Sequence, residues 1–273
     1  MDLRRIPSSF PEATVAAIEA RLDKACAEHG VRIPWAIESG SRAWGFPSPD
    51  SDFDCRFIYV RPFHQHLSPW LRRDVMETPL ERELDVNGWD LGKALKLLLK
   101  GNAVVIEWLR SPIVYRGQAW FRDGLLRFAE RFVSRGLVAR HYLHLGERQR
   151  RAYFADENQV PLKKIFYALR PAAALRWLRL HPDAAVAPMH FPTLMAECEP
   201  SPALAGLVTE LVARKAVTRE LGAEPLPTIV SAFIDQEFDA ARTCFADATP
   251  APSEDARAEA EAIYQDFVRR AFS

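Results

Sequence analysis

Apolar residues recur at helical spacing from the start of the chain. Val15, Ile18, Leu22 and Cys26 share one face, Pro11 suits a first-turn position and Gly30 a stop, so residues 9–30 read as an opening helix. The period then changes. Val31 to Ser39 reads as a strand entering a polar turn that holds Gly40, Gly45, Pro47 and Pro49. Alternation predicts a second strand from about Phe53 to Val60, and a third is expected near Leu80 to Val86. Between them, a loop with Pro62, Pro69 and Pro79 carries a short amphipathic piece around Trp70 to Met76. Asp90 is placed to cap a helix through Leu99, with Leu91, Leu95 and Leu98 inward and Lys93, Lys96 and Lys100 outward. From about Trp120 strand signals almost vanish, and helix follows helix, punctuated by Pro161, Pro171, Pro182 and Pro188. Thr249 to Ser253 reads as a hinge before a last amphipathic helix with Ile263, Phe267 and Ala271. No repeat recurs at a period of 20–50 residues. The pattern predicts an α+β chain: a small mixed β-sheet unit over residues 1–118, then a helical unit over residues 119–273.

Composition narrows the function classes. With 273 residues, 48% of them hydrophobic, the chain is long enough to bury a real core and is neither disordered nor collagen-like. Its 36 basic residues balance 36 acidic ones, which argues against a general polyanion binder and leaves room for a local basic patch. Cys26, Cys55, Cys198 and Cys244 stand singly, as reduced thiols do. No apolar run is long enough to cross a membrane, and Met1 to Pro7 lack a signal-peptide core, so a cytoplasmic location is expected.

The chemistry concentrates between Glu38 and Arg56. Residues two apart in a strand share a face, so Asp52, Asp54 and Arg56 point one way, and Phe53, Cys55, Phe57 and Tyr59 point the other. Two carboxylates about 5–6 Å apart repel by roughly 3 kcal/mol at an effective dielectric of about 20. Arg56 offsets part of that cost; a divalent cation offsets it better, and an oxygen-only ligand set suits Mg²⁺. Gly40 lets the backbone approach a ligand closely, and Ser41 offers a hydroxyl and an N–H. A short helical turn near Arg42 would add free N–H groups for an anion. Phosphates beside a carboxylate-held metal point to a nucleoside triphosphate (NTP). A third carboxylate is expected on the third strand. Asp85 is the first candidate and Glu83 the second, as base or electrostatic partner of an attacking hydroxyl.

Gly40-Ser41, a gap of ten residues and then Asp-x-Asp in a strand resemble the signature of the DNA polymerase beta-type nucleotidyltransferase superfamily. The fuller string GSRAWGFPSPDSDFDCRFIYV, with ELDVNGWDLGKAL and EWLRSPIVY downstream, resembles the predicted nucleotidyltransferases associated with RNA ligases. The likeness is close over roughly residues 37–115 and weaker over KKIFYALRPAAALRW, Lys163 to Trp177. It implies a mixed sheet flanked by helices, two Mg²⁺ ions on Asp52, Asp54 and Asp85, and NTP as nucleotidyl donor. The acceptor stays open between RNA, a protein side chain and a small molecule. One departure stands out: the strand continues Cys-Arg-Phe where the wider superfamily runs apolar, and Arg56 would lower the site's negative charge.

Further signals are weaker. Lys163, Lys164, Tyr167 and Arg170 recur at helical spacings, which lets cations share a face and clamp phosphates; a solvated helix face reads equally well. Arg42, Trp44 and Phe46 read either as nucleotide contacts or as an aromatic-packed turn. The tract of arginines from Arg127 to Arg151, interleaved with aromatics, reads as an RNA surface or as ordinary helix decoration. His64-x-His66 and His141-x-x-His144 lack a third spaced ligand for zinc. Glu107 and Trp108, in an apolar helix, are expected to serve packing. Besides an enzyme, the pattern allows a non-catalytic NTP-sensing or RNA-binding module, or a structural partner in an RNA-repair complex.

Overall fold

A computed structural model describes residues 2–70, 72–79, 81, 83–218, 222–247 and 252–273. Six strands form one sheet in the order β1, β6, β2, β3, β5, β4. They are β1 (Asp2–Arg5), β2 (Arg32–Glu38), β3 (Phe53–Val60), β4 (Val75–Glu77), β5 (Leu84–Asp90) and β6 (Val114–Gln118). Only the β3–β5 pair is parallel, with Asp54 opposite Asp85; the other pairs are antiparallel. Helices α1 (Glu12–His29), α2 (Gly40–Trp44), α3 (Phe63–His66), α4 (Leu91–Leu99) and α5 (Ala103–Arg110) intervene. Then come α6 (Ala119–Phe132), α7 (Arg135–Tyr153), α8 (Leu162–Leu180), α9 (Phe191–Glu197), α10 (Pro202–Val217), α11 (Thr228–Cys244) and α12 (Glu254–Phe272). Two-residue strands β7 (Val160–Pro161) and β8 (Ala223–Glu224) pair beside α8. Among the described residues, no helix is long and apolar enough to cross a membrane.

The alternation of β3 divides two cores. Phe53, Cys55, Phe57 and Tyr59 pack with Ile18 and Leu22 of α1 and with Tyr115. Burying a side chain such as Ile18 or Leu22 contributes about 1.5–3 kcal/mol, enough to fix α1 on this face. On the opposite face, Ile58 and Val60 join Trp35 and Ile37 in a larger core, which continues through α4 to α8 and on to Phe267 of α12. The last helix therefore returns to the sheet. Asp54 and Arg56 precede Ile58 on this same face, so one side of β3 is polar at its start and apolar at its end.

The third expected strand starts later than the sequence indicates. Leu80 lies outside the described residues, as do residues 249–251 of the expected hinge. Leu84 N–H bonds the Glu81 carbonyl at 3.0 Å, which closes a turn and leaves Glu83 before the strand. Asn87-Gly88, a turn-forming pair, stays inside β5 because Phe57 occupies the space a Cβ would need, 2.1 Å from its ring. Asp90 caps α4 as expected, its carboxylate accepting from Gly92 N–H at 2.8 Å.

Candidate active site

The turn at Gly40 comes directly off the end of β2. Gly40 has φ +59°, and a Cβ there would lie 1.9 Å from Asp54 Oδ2, so both conformation and space require glycine. Ser39 N–H bonds the Asp54 carbonyl at 2.8 Å, locking the start of α2 against β3. Gly40 and Asp54 are thus brought together as the spacing suggested.

Asp54 and Asp85 are register partners, and Arg56 bridges them, at 3.1 Å to Asp54 Oδ1 and 2.6 Å to Asp85 Oδ2. The other Asp85 oxygen accepts a bond from Asn87 Nδ2. Asp52 is exposed one position before the strand. Burial pushes the Asp54 carboxyl above the ordinary aspartate range, and partial loss of surrounding water raises that of Asp52. Glu83, Asp85 and Asp50 push Asp52 further, while Arg56 relieves Asp54 in part. Among the described residues, no three His, Cys, Asp or Glu side chains converge as a ready metal cage. Asp52 and Asp54 nevertheless offer hard oxygen donors of the kind that suits Mg²⁺, although Arg56 already holds one oxygen of Asp54 and one of Asp85.

The remaining sequence candidates divide. Ser41 Oγ donates to Ser51 Oγ at 2.8 Å, a bond inside the turn. Arg42 donates to the Ser51 and Asp52 carbonyls at 2.5 and 3.1 Å, its guanidinium 3.8 Å from the Phe53 ring centre, so it fastens the segment bearing Asp52. On α8, Lys163 is exposed and close enough to Asp50 to favour that carboxylate's charge. Lys164 sits over the rings of Tyr153 and Tyr167, at 4.3 and 4.7 Å. The expected cationic face of Lys163, Lys164 and Arg170 needs correction at Arg170. That guanidinium is buried, paired with Glu107 at 2.6 Å and 4.1 Å from the Trp44 ring. Glu107 also accepts from Tyr142 at 3.0 Å and from the Trp44 indole at 3.3 Å. Arg170 cannot leave this pocket for a phosphate without stranding a buried carboxylate, so it braces α2 from behind.

Two residues escaped the sequence reading. Glu38, fully buried, accepts from Asp54 N–H at 2.9 Å and from the Tyr115 hydroxyl at 2.6 Å; burial pushes its carboxyl up to about 8. It holds the backbone of Asp54 from the face opposite the carboxylates. Lys215 of α10 is also buried and donates to the Phe46 carbonyl at 2.7 Å, and burial pushes its ammonium down to about 8. Its position was legible: Leu204, Val208, Leu211 and Lys215 form a single helical stripe. Phe46 meanwhile stacks on Phe166 at 4.6 Å. The helical half therefore holds the glycine turn in place through Trp44 and Phe46.

Residues 15–266 match the family described as "RNA repair pathway DNA polymerase beta family". The chain is also similar to "Uncharacterized protein YcgL" of Bacillus subtilis (strain 168), 38% identical over 211 residues, covering 77% of this chain and 80% of that protein.

Proposed function

The chain belongs to the RNA repair pathway DNA polymerase beta family, and from that premise we propose that it is a Mg²⁺-dependent nucleotidyltransferase. It moves a nucleotidyl group from NTP to an acceptor hydroxyl and releases pyrophosphate. The observation that carries this reading is the approach of the Gly40 backbone to Asp54, itself level with Asp85 on parallel strands. A phosphate chain and hard cations need such a junction between a bare backbone turn and a carboxylate pair.

Asp52 and Asp54 would hold the metal ions, two by family resemblance, with Asp85 as the third ligand. Bound there, Mg²⁺ would neutralise the triphosphate and steady the entering and leaving oxygens. The Gly40-Ser41 turn presents N–H groups that have no partner inside so short a helix, and these would bind the triphosphate. Lys163, near Asp50, adds positive charge at the same end of the sheet. Asp85 would take the acceptor proton as the new oxygen–phosphorus bond forms and the bond to pyrophosphate breaks. RNA is the acceptor that the family description favours. All four cysteines are unpaired, which supports a reducing, cytoplasmic setting.

Arg56 favours a second reading. It occupies the space between Asp54 and Asp85, as it would in a non-catalytic NTP-sensing or RNA-binding module. Asp54→Asn decides between them. For an enzyme, pyrophosphate release with Mg²⁺, NTP and RNA falls more than about 100-fold, the loss expected of a missing metal ligand, while the fold persists by circular dichroism. Wild-type protein that binds Mg·NTP yet releases no pyrophosphate with any RNA would favour the sensing module.

A further inference from the structure

At the end of the sheet away from the carboxylates, a cavity of about 690 Å³ opens between three distant segments. Its walls come from Arg61 to Trp70 and Arg72 to Asp74, from α4, and from α12 through Arg257 and Tyr264. Asp54 stands seven residues before Arg61, about 23 Å along an extended strand. The cavity is therefore separate from the site proposed for NTP.

Its chemistry is unusual for a chain of zero net charge. Six Arg and Lys side chains line it against three carboxylates. Arg61 is spent on Asp90, Arg73 on Glu77 and Lys93 on Asp74. Arg72, Lys96 and Arg257 are exposed and have no acidic partner among the described residues. Beside them Trp70 is 81% exposed, and Phe63 and Leu67 on the same segment are 68% and 70% exposed. The floor is apolar, from Leu95, Leu99 and Ala260. An inorganic anion would use the cations and leave the indole bare. An apolar ligand would leave the cations bare. A chain of phosphates carrying flat bases uses both.

We propose that this cleft anchors single-stranded RNA, with Trp70 stacked on a base and Arg72, Lys96 and Arg257 on the phosphates. The arginine tract from Arg127 to Arg151 suits this role less. Arg135 is bound to the Leu178 carbonyl, Arg150 to Glu157 and Asp235, and Arg151 is drawn to Glu147. The choice of RNA over other single strands rests on the nucleotidyltransferase reading; the cleft's affinity for a single-stranded polyanion does not. Held here, an RNA would be gripped at a distance from its reacting end.

The test is fluorescence anisotropy of a fluorescein-labelled single-stranded oligoribonucleotide with the full chain in EDTA, titrated with salt. Wild type should bind with Kd tighter than about 100 µM, the weak limit of ordinary non-specific binding at physiological salt. Trp70→Ala should weaken binding about 5- to 150-fold, the loss of one stacked base. The triple variant Arg72→Ala, Lys96→Ala, Arg257→Ala should flatten the slope of log K against log salt by about 2, at roughly 0.7 per phosphate contact. Asp54→Asn should bind as wild type, which separates this inference from the catalytic one. No binding by wild type, or variants indistinguishable from it, would overturn the proposal. So would equal displacement of the probe by duplex RNA or by a poly-glutamate peptide.

Discussion

Two carboxylate clusters flank the Gly40 turn, and they are solved in opposite ways. Where the helical half packs on the sheet unit, one carboxylate, Glu107 of α5, meets the Arg170 guanidinium, the Tyr142 phenol and the Trp44 indole, all within 3.3 Å. Donors and acceptors balance, and the group is buried. At the start of β3 and β5, Arg56 pairs with Asp54 and Asp85 while Glu83 and Asp85 act on Asp52, so the group carries more negative charge than one guanidinium cancels, and the Asp52 and Asp54 carboxyls are pushed up. A balanced buried network completes a fold. An unbalanced one on an open ledge is completed by something from outside.

Breaking the balanced cluster should have the largest effect on stability. Glu107→Ala leaves Arg170 buried beside Trp44 without its counter-charge, which costs about 3–5 kcal/mol. In a chain of this size that lowers Tm by roughly 6–20 °C. Differential scanning calorimetry checks it. A loss under about 1 kcal/mol would mean that Arg170 is mobile enough to reach a phosphate, and the contrast between the clusters would collapse.

The strand-end cluster is largely legible in the sequence; the buried one is not. Alternation from Phe53 to Val60 is a local property, and it puts Asp54 and Arg56 on one face of β3, with Asp52 one position before the strand. Gly40 was legible for the same reason, since a glycine after a strand signals a close approach. Helical spacing alone misplaces Arg170, since it says which residues share a face, not which face turns inward; Glu107, 63 positions earlier, settles that. Glu38 stayed hidden because a charged residue ending an apolar strand looks like the start of a loop. The return of α12 to the sheet could not be read either, since an amphipathic stripe does not name its partner.

A smaller effect probes the link between the clusters. Gly40→Ala puts a methyl group against Asp54 Oδ2 and a side chain at φ +59°. Strain of this kind costs on the order of 1–3 kcal/mol. Relief requires the turn or Asp54 to move, so nucleotidyl transfer should fall by much more than stability does. Pyrophosphate release measured beside a urea melt gives both numbers. Equal losses in the two would make the turn a packing element alone.

The smallest effect carries the sign that defines the contrast. Asp52 and Asp54 titrate above the ordinary aspartate value of 3.8 in the folded chain, so the folded state holds protons that the unfolded state releases. Their contribution to stability is therefore most favourable below about 3.8, and it declines as pH rises through the raised values. Asp52→Asn removes one of the repelling charges. In metal-free protein it should stabilise slightly, by well under about 1 kcal/mol because the side chain is exposed. The gain should be absent at pH 3.5 and present at pH 7, seen as a higher urea midpoint than wild type. Millimolar Mg²⁺ at pH 7 should then reverse the order, since only the wild type keeps both carboxylates for the ion. If Asp52→Asn is instead less stable than wild type at pH 7 without metal, Arg56 and its neighbours already balance the cluster. The carboxylates on β3 and β5 would then form a second structural network of the Glu107 kind, with no vacancy for a cation.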